Sequence, residues 1–394
     1  MPMRTWIGRK RIAFLPVSRS NAIPPDNPIP ADWPAEILRR VLYDPLPPNG
    51  ADRSLRTYIH SASSGRADLD AFVMPMQVVN QQDVRPNAFE AQFGAYLRGE
   101  GFDAAALVML GGPGAGSAES VGGFWARFVM AEGLAVWAME LIHCLASIDD
   151  LYAFGGNMEP FEEMAINVGS LAKHPTAFTK VLMGWLDQTT VVTHNNHTAP
   201  VTYHLHAVGL VQPPPAGRVA AVRLGGQVPP YLMVEARLMN DQFDGSIPSQ
   251  GVIVYQVQTA SPQGSAQNQL APLLLRTPTA LQVGETFTSG AFKVKVVKAL
   301  PGGFAISVDD SLRAVGLVTS YEAKRVDPDR PPSQNNPVMQ TIQIDSKPGF
   351  IFTATGGPSF ATTVKKAQDT HRKVEITFSA TSPQSGTIIS VKLK

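Results

Sequence analysis

One change of texture, at Asp187, constrains this chain more than any other feature. Before it, apolar residues come both in continuous runs and at helical spacing. After it they alternate, over Val201–Val208, Val219–Leu224, Leu232–Leu238 and Val252–Val257, and turn residues recur between the stretches. Alternation sends successive side chains to opposite faces, so it predicts strands with one face buried. A mixed region followed by an all-β region is an α+β chain.

Residues 1–50 read as a proline-rich N-terminal segment (Pro24, Pro25, Pro28, Pro30, Pro34, Pro45, Pro47, Pro48), extended at the surface with one short helix near Ala35–Leu42. A mixed domain is expected over 51–187. A helix opens at Asp52–Arg56 and stops at Ser61–Gly65. Leu69–Val79 makes a strand or two, Phe89–Arg98 a helix, and Phe102–Leu110 a buried strand closed by Gly111 and Gly112. Phe124–Leu145 reads as one long helix with a break near Gly133, and Thr176–Trp185 as another. A β-rich domain is expected over 188–326, with a polar loop at Gln258–Asn268, and a linker over 327–336. Strands at Val338–Ile344, Phe350–Thr355, Val374–Ala380 and Thr387–Leu393 lead to a C-terminal β-sandwich over 337–394.

Composition excludes several classes. Lys and Arg number 33 against 32 Asp and Glu, with no basic stripe interleaved with aromatics, so nucleic acid is not the expected partner. Cys144 is the sole cysteine, so no intrachain disulfide can form. No apolar run approaches the ~20 residues that span a bilayer. The patch Ile12–Val17, behind Arg4, Lys10 and Arg11, is short for the ~7–15-residue core of a signal peptide.

The stretch Val136–Tyr152 carries the chemistry. The zinc-peptidase signature H-E-x-x-H puts two imidazoles one helical turn apart on one face, beside a glutamate that polarises a metal-bound water. Here Glu140 and His143 stand in place, but the first histidine is Met139. A thioether is a poor zinc ligand, and its bland role is to pack with Val136, Trp137 and Leu145. Downstream, Asp149 and Asp150 are candidates for a third ligand. An isolated E-x-x-H is usually part surface and part core.

Further matches follow in order. Asp52–Arg56 and Ser63–Gly65, the strand Phe102–Gly112, Glu140 and His143 with Asp149-Asp150-Leu151-Tyr152, Met164 within Phe161–Ala165, and His174–Asp187 precede Tyr231–Glu235, Phe243-Asp244 and Gly251–Val257. As a series, over a little more than half the chain, they resemble the secreted zinc metallopeptidases related to immune inhibitor A. The resemblance implies a zincin-like peptidase domain followed by β-rich domains, with Glu140 as general base, His143 and Asp149 or Asp150 on the metal, Met139 at a lost ligand position, and Met164 as the methionine turn. Spacing favours Asp149 as third ligand, whereas the D-L-Y match favours Asp150. The family's turn glycine is Ala146 here. Zinc is the implied metal, and Met139 counts against it. An extracellular setting is implied too. The expected function is a pseudopeptidase that binds a protein or peptide partner. The alternatives are an active, divergent zinc metalloendopeptidase using Glu140, and a structural or adhesive β module on an inert carrier.

Other candidates carry weaker signals. His194, His197, His204 and His206 fall close together, and His204 and His206 would share a strand face, so a metal cluster is conceivable; histidines on a hairpin are the plainer reading. His174 is the spare imidazole that could substitute as a ligand. Asp241, Asp244 and Glu235, near turns, are the residues for the calcium that family members bind. Gly111–Gly116 follows a strand but lacks the G-K-[ST] of a phosphate loop. Cys144, adjacent to His143, points elsewhere on a helix and is no nucleophile–base pair.

Overall fold

A computed structural model describes residues 4–19, 31–43, 54–80, 84, 86–110, 117–118, 123–154, 157–165, 171–194, 200–225, 229–241, 243–260, 269–289, 292–310, 312–325, 338–344, 351–355, 358–370, 373–382 and 385–393. The expected linker 327–336, the glycine run 111–116, Asp52-Arg53, most of the loop 258–268, His197 and much of the proline-rich stretch lie outside the described residues. The fold is mixed α+β. The chain divides into two compact units. One comprises Met1–Thr193, His204–Gln282 and Ala299–Phe304; the other comprises His194–Tyr203, Val283–Lys298 and Ala305–Lys394.

The first unit begins with β1 (Gly8–Arg19), α1 (Trp33–Leu42), α2 (Leu55–Ala62), β2 (Ala67–Val73) and β3 (Gln77–Val79). Helix α3 (Pro86–Phe89) runs through a π turn at Glu90–Gly94 into α4 (Ala95–Gly99). Then come β4 (Ala104–Met109), β5 (Ser117–Ala118), β6 (Trp125–Val129), α5 (Leu134–Ala146) and α6 (Ala177–Leu182). The sheet order is β2-β1-β4-β6-β5, with β3 also on β1; every pairing is parallel except that of the short edge strand β5 with β6.

The apolar patch Ile12–Val17 is therefore a central strand, so Gly8–Arg19 belongs to the main sheet and not to a separate surface segment. Its two faces enter different cores. Ile12 and Phe14 pack with Val108, Phe128, α2 and α5, whereas Ala13, Leu15 and Val17 pack with Leu107, Trp125 and Leu97. A parallel strand buried on both faces reads as a continuous apolar run.

The long helix expected over Phe124–Leu145 is two elements. Trp125–Val129 pairs with β4 as β6, and Gly133 (φ −72, ψ 167) caps a helix that starts only at Leu134. The run is apolar throughout, so its period does not separate a buried strand from a buried helix. Every residue of α5 from Ala135 to Ala146 is buried. Trp137 locks it to the sheet, its ring stacked 4.6 Å from Phe128 and 6.3 Å from Phe14. No described helix is long and apolar enough to cross a membrane.

Beyond Asp187 come β7 (Val191–His194), β8 (Val201–His206), β9 (Ala221–Leu224), β10 (Tyr231–Arg237), β11 (Gly251–Ala260) and β12 (Gln269–Leu275), with a sheet in the order β12-β11-β10-β9-β7. Tyr231, Met233, Glu235 and Arg237 alternate on β10 and are buried, opposite Tyr255 and Ile253 of β11. Two of these four, Glu235 and Arg237, are charged, and they belong to a buried polar network.

In the second unit, the hairpin β13 (Thr286–Ser289) and β14 (Phe292–Leu300) precedes β15 (Gly303–Asp309). A closed barrel follows, made of β16 (Leu312–Arg325), β17 (Val338–Ile344), β18 (Ile351–Thr355), β19 (Lys373–Ser382) and β20 (Ser385–Leu393), in the order β16-β17-β18-β20-β19. This replaces the expected C-terminal sandwich. The barrel takes in β16, and a helix, α7 (Pro358–Asp369), lies between β18 and β19 in the chain. Among its described side chains Val364 and Ala367, three residues apart, are buried on one face.

Candidate functional site

The last turns of α5 present Glu140 and His143, both buried, at 3% and 4% exposure. His143 holds two partners. Its Nδ1 lies 2.5 Å from the carbonyl oxygen of Ile148, and its Nε2 lies 3.0 Å from Oδ1 of Asp150. A carbonyl oxygen can only accept, so Nδ1 carries a hydrogen. Burial opposes a charge on this ring, but the hydrogen bond and charge of Asp150, with Glu140 nearby, outweigh it and raise the His143 pKa to about 9. Burial would raise the Asp150 carboxyl, yet His143 and the Tyr152 hydroxyl hold it below its ordinary value. Nε2 and Oδ1 stand within ion-pair distance, and below the raised His143 pKa the pair is imidazolium on carboxylate.

Glu140 points into the same buried region without such help. Its Oε2 is buried with no hydrogen-bond partner. Burial raises its pKa to about 7, His143 pulling it down and Asp150 and Glu132 pushing it up. A carboxyl that titrates near neutrality in a buried place has the properties of a general base or acid.

The two aspartates separate by geometry. Asp150 is the one that meets His143, while Asp149 accepts the backbone N–H of Asp150 at 2.9 Å. The helix ends at Ser147, whose φ of 57° is left-handed. That conformation suits glycine and is uncommon for other residues. The turn therefore falls at Ser147, one residue after Ala146, and Asp150 follows it by three. Tyr152 is half-exposed and hydrogen-bonds Asp150. Sequence reasoning assigned it no role; its place in the D-L-Y triplet was the available signal.

Met139 lies one turn before His143 and is buried within the same apolar core as Met158, Phe161 and Met164. Met164 occupies a buried turn, Glu163–Ala165, that packs against α5. Cys144 turns away and donates to the carbonyl of Trp125 at 3.3 Å. Zinc in a catalytic site takes three protein ligands of nitrogen, oxygen or thiolate type, plus water. Nε2 of His143 and the Asp150 carboxylate are two such groups, and the neighbouring Met139 offers only a thioether, so these donors do not fit the metal. Among the described residues no three His, Cys, Asp or Glu side chains are grouped to hold an ion.

The remaining candidates belong to a separate buried network. Arg237, fully buried, forms a two-pronged pair with Asp244 (Nη2 to Oδ1 2.6 Å, Nε to Oδ2 3.0 Å), and donates to the carbonyls of Phe161 (2.6 Å) and His174 (2.9 Å). His174 sets Nε2 2.6 Å from Oδ2 of Asp241, and its N–H donates to Asp244. It is thus engaged with Asp241 and Asp244, not with His143 or Asp150. Glu235 accepts from Ala177 N–H and from the Tyr255 hydroxyl, both at 2.8 Å. Glu162 accepts from Thr176 N–H (3.0 Å) and from the hydroxyls of Thr176 (2.7 Å) and Thr179 (2.8 Å), so buried carboxylates meet the first N–H groups of α6. Burial pushes Glu163 well above the usual carboxylate range and Lys180 down to about 8. The carboxylates suggested for calcium thus already face a guanidinium, an imidazole and backbone donors, an arrangement unlike a shell of free oxygens around a cation.

The described histidines of the cluster have partners of their own or lie exposed. His194 is buried with Nδ1 2.9 Å from the Tyr203 hydroxyl and Nε2 3.4 Å from Asp310. His206 is buried beside Gln212, and His204 is exposed.

The chain matches no family model and no curated protein sequence.

Proposed function

We propose that this chain is a zincin-like pseudopeptidase that binds a protein or peptide partner through the region of Glu140 and His143, and that it acts outside the cell. One observation carries the reading. Met139 occupies the position one turn before His143, and His143 has both ring nitrogens committed, to Ile148 and to Asp150. An imidazolium paired with a carboxylate has no lone pair to offer a metal. The helix that would carry a catalytic site is instead held by apolar packing on both sides. The order of motifs along the chain supports descent from the peptidases related to immune inhibitor A. Ala146 in the place of the family's turn glycine, with the left-handed turn at Ser147, supports loss of a strict ligand geometry.

A second reading, a working metallopeptidase, has Glu140 in its favour, because its buried oxygen lacks a partner and its pKa of about 7 suits a base. Metal analysis with cleavage of an unstructured protein separates the two. Wild type is expected to hold less than one zinc per chain and to leave the protein intact. Met139→His is expected to gain zinc and, at most, weak cleavage. Stoichiometric zinc in wild type, with cleavage abolished by Glu140→Ala, would establish the second reading in place of the first.

A further inference from the structure

A cavity of about 300 Å³ opens in the first unit, between the turn at Ser64–Arg66, the segment Trp185–Thr190 and the loop from His206 to Pro214. That volume lies at the lower end of small-molecule sites. Its wall is mostly apolar, with Trp185, Val208, Leu210 and Pro213 among the lining side chains. Polar side chains interrupt the wall, and three of them, His206, Arg66 and Asp187, can orient a ligand.

The first is His206, 8% exposed. Its Nε2 lies 3.0 Å from the carbonyl of Gln212, so Nε2 carries the hydrogen. Burial keeps the ring's pKa below the ordinary value, which leaves a neutral imidazole with an unprotonated Nδ1. That Nδ1 is buried and has no partner. A buried acceptor left unpaired costs about 1–3 kcal/mol, a cost that a ligand donating to it removes.

The other two are Arg66 and Asp187, both exposed at the mouth. The backbone and hydroxyl bonds from Thr189, with a smaller contribution from the Arg66 charge, hold the Asp187 carboxyl below its usual range. Arg66 and Asp187 do not form a contact pair. Asp187 spends Oδ1 on the N–H and hydroxyl of Thr189, at 2.9 and 2.8 Å, and among the described residues none donates to Oδ2. A cation and an anion that line one apolar cavity without pairing with each other complement a zwitterion.

From these observations we propose that the cavity is a binding site for a free aromatic α-amino acid whose ring carries a donor, tyrosine or tryptophan. The α-carboxylate meets Arg66, the α-ammonium meets Asp187, the ring lies against Trp185 and Leu210, and the phenol or indole hydrogen is donated to Nδ1 of His206. Apolar walls supply affinity, and the three polar groups supply orientation. Phenylalanine fills the same space but leaves Nδ1 unpaired, and a site with an unpaired buried polar group discriminates strongly. The rim is fixed by the Ser64 hydroxyl, which donates to the carbonyl of Leu210 at 3.4 Å.

The test is calorimetric titration of the full chain with L-tyrosine and L-tryptophan. Controls are L-phenylalanine, tyramine, which lacks the carboxylate, and 3-(4-hydroxyphenyl)propionate, which lacks the ammonium. At least one of the two amino acids is expected to bind, and each control to bind tenfold or more weakly. Arg66→Gln and Asp187→Asn, both surface changes that keep the fold, are expected to weaken binding tenfold or more. His206→Phe is expected to abolish the preference over phenylalanine, and Leu210→Trp to fill the cavity and block binding. Absence of binding by either amino acid at millimolar concentration would overturn the proposal. So would binding that ignores Arg66→Gln and Leu210→Trp, or equal binding of phenylalanine by wild type.

Discussion

His143 Nε2 and Asp150 Oδ1 lie 3.0 Å apart across the end of α5, with the left-handed Ser147 between them in the chain. Two groups that would share a metal in a peptidase instead hold one another. Their charges rest on one proton, which sets the first expectation.

Asp150→Asn should cost about 1–3 kcal/mol of stability near pH 6, because it leaves a buried imidazole without its carboxylate. The sign follows from the shifts. The His143 pKa rises from 6.5 to about 9 on folding, so its contribution is complete below pH 6.5 and is lost as pH rises through 9. Asp150 is lowered from 3.8, so its contribution is present above pH 3.8 and is lost as pH falls through its folded value. Denaturant titration from pH 4 to 10 should show wild type losing stability between 6.5 and 9, and Asp150→Asn showing a flatter curve. NMR titration of His143 that finds an ordinary pKa in wild type would contradict this.

Glu140→Gln works in the opposite sense. The Glu140 carboxyl is raised from 4.5 to about 7, so the folded state keeps a proton that the unfolded chain releases, and ionisation destabilises the fold as pH climbs through that interval. The amide keeps the shape and removes the ionisation. It should stabilise the protein at pH 8 by on the order of 2 kcal/mol and change little at pH 4. Equal stability of the two proteins at pH 8 would mean that water reaches Glu140.

The fold was legible where a pattern had one meaning. The alternation after Asp187 yielded strands over Tyr231–Arg237 and Gly251–Ala260, and the glycine-closed apolar run yielded β4. It was illegible where burial on both faces erased the period. Ile12–Val17 and Trp125–Val129 are central parallel strands, and neither alternates. Helix α7 was missed because its sequence mixes Thr, Lys and Gln with apolar residues; among its described side chains Val364 and Ala367 are buried. At the site, E-x-x-H spacing placed Glu140 and His143 on the end of one buried helix. Spacing alone could not choose between Asp149 and Asp150, because the choice depends on the φ of Ser147, a backbone property that serine does not advertise. The network around Arg237 was hidden for a similar reason, since charged residues alternating on a strand read as its exposed face.

Ser147→Gly should stabilise the fold. A left-handed backbone costs a side-chain-bearing residue roughly 1–2 kcal/mol relative to glycine, and the Ser147 hydroxyl is buried without a partner. Glycine's greater freedom in the unfolded chain returns part of that gain. A net rise of about 0.5–1 kcal/mol is expected, read as a higher denaturation midpoint at unchanged m value. Ser147→Val, β-branched in the same conformation, should lose more than the glycine gains. If glycine destabilises and valine does not, the helix does not end in a left-handed turn at this position.

Arg237 should be the most sensitive residue of the first unit. Its guanidinium is buried between Glu235 and Asp244 and anchors the carbonyls of Phe161 and His174. Removing one partner of a buried pair costs about 3–5 kcal/mol, because the other charge stays buried and unpaired. Arg237→Met should therefore unfold at a much lower denaturant concentration than wild type. Replacing both partners, Arg237→Met with Asp244→Leu, removes the stranded charge along with the cation, and should recover part of the loss, with a coupling energy above 1 kcal/mol in the double-mutant cycle. Calcium provides the control. If these carboxylates formed a cation site, calcium would raise the wild-type Tm by mass action, and Arg237→Met would bind calcium more tightly by shedding a competing charge. A wild-type Tm that does not respond to calcium, together with strong coupling in the cycle, is the outcome expected of a network closed on its own arginine. Additive single and double changes would mean that Arg237 and Asp244 do not act as a pair.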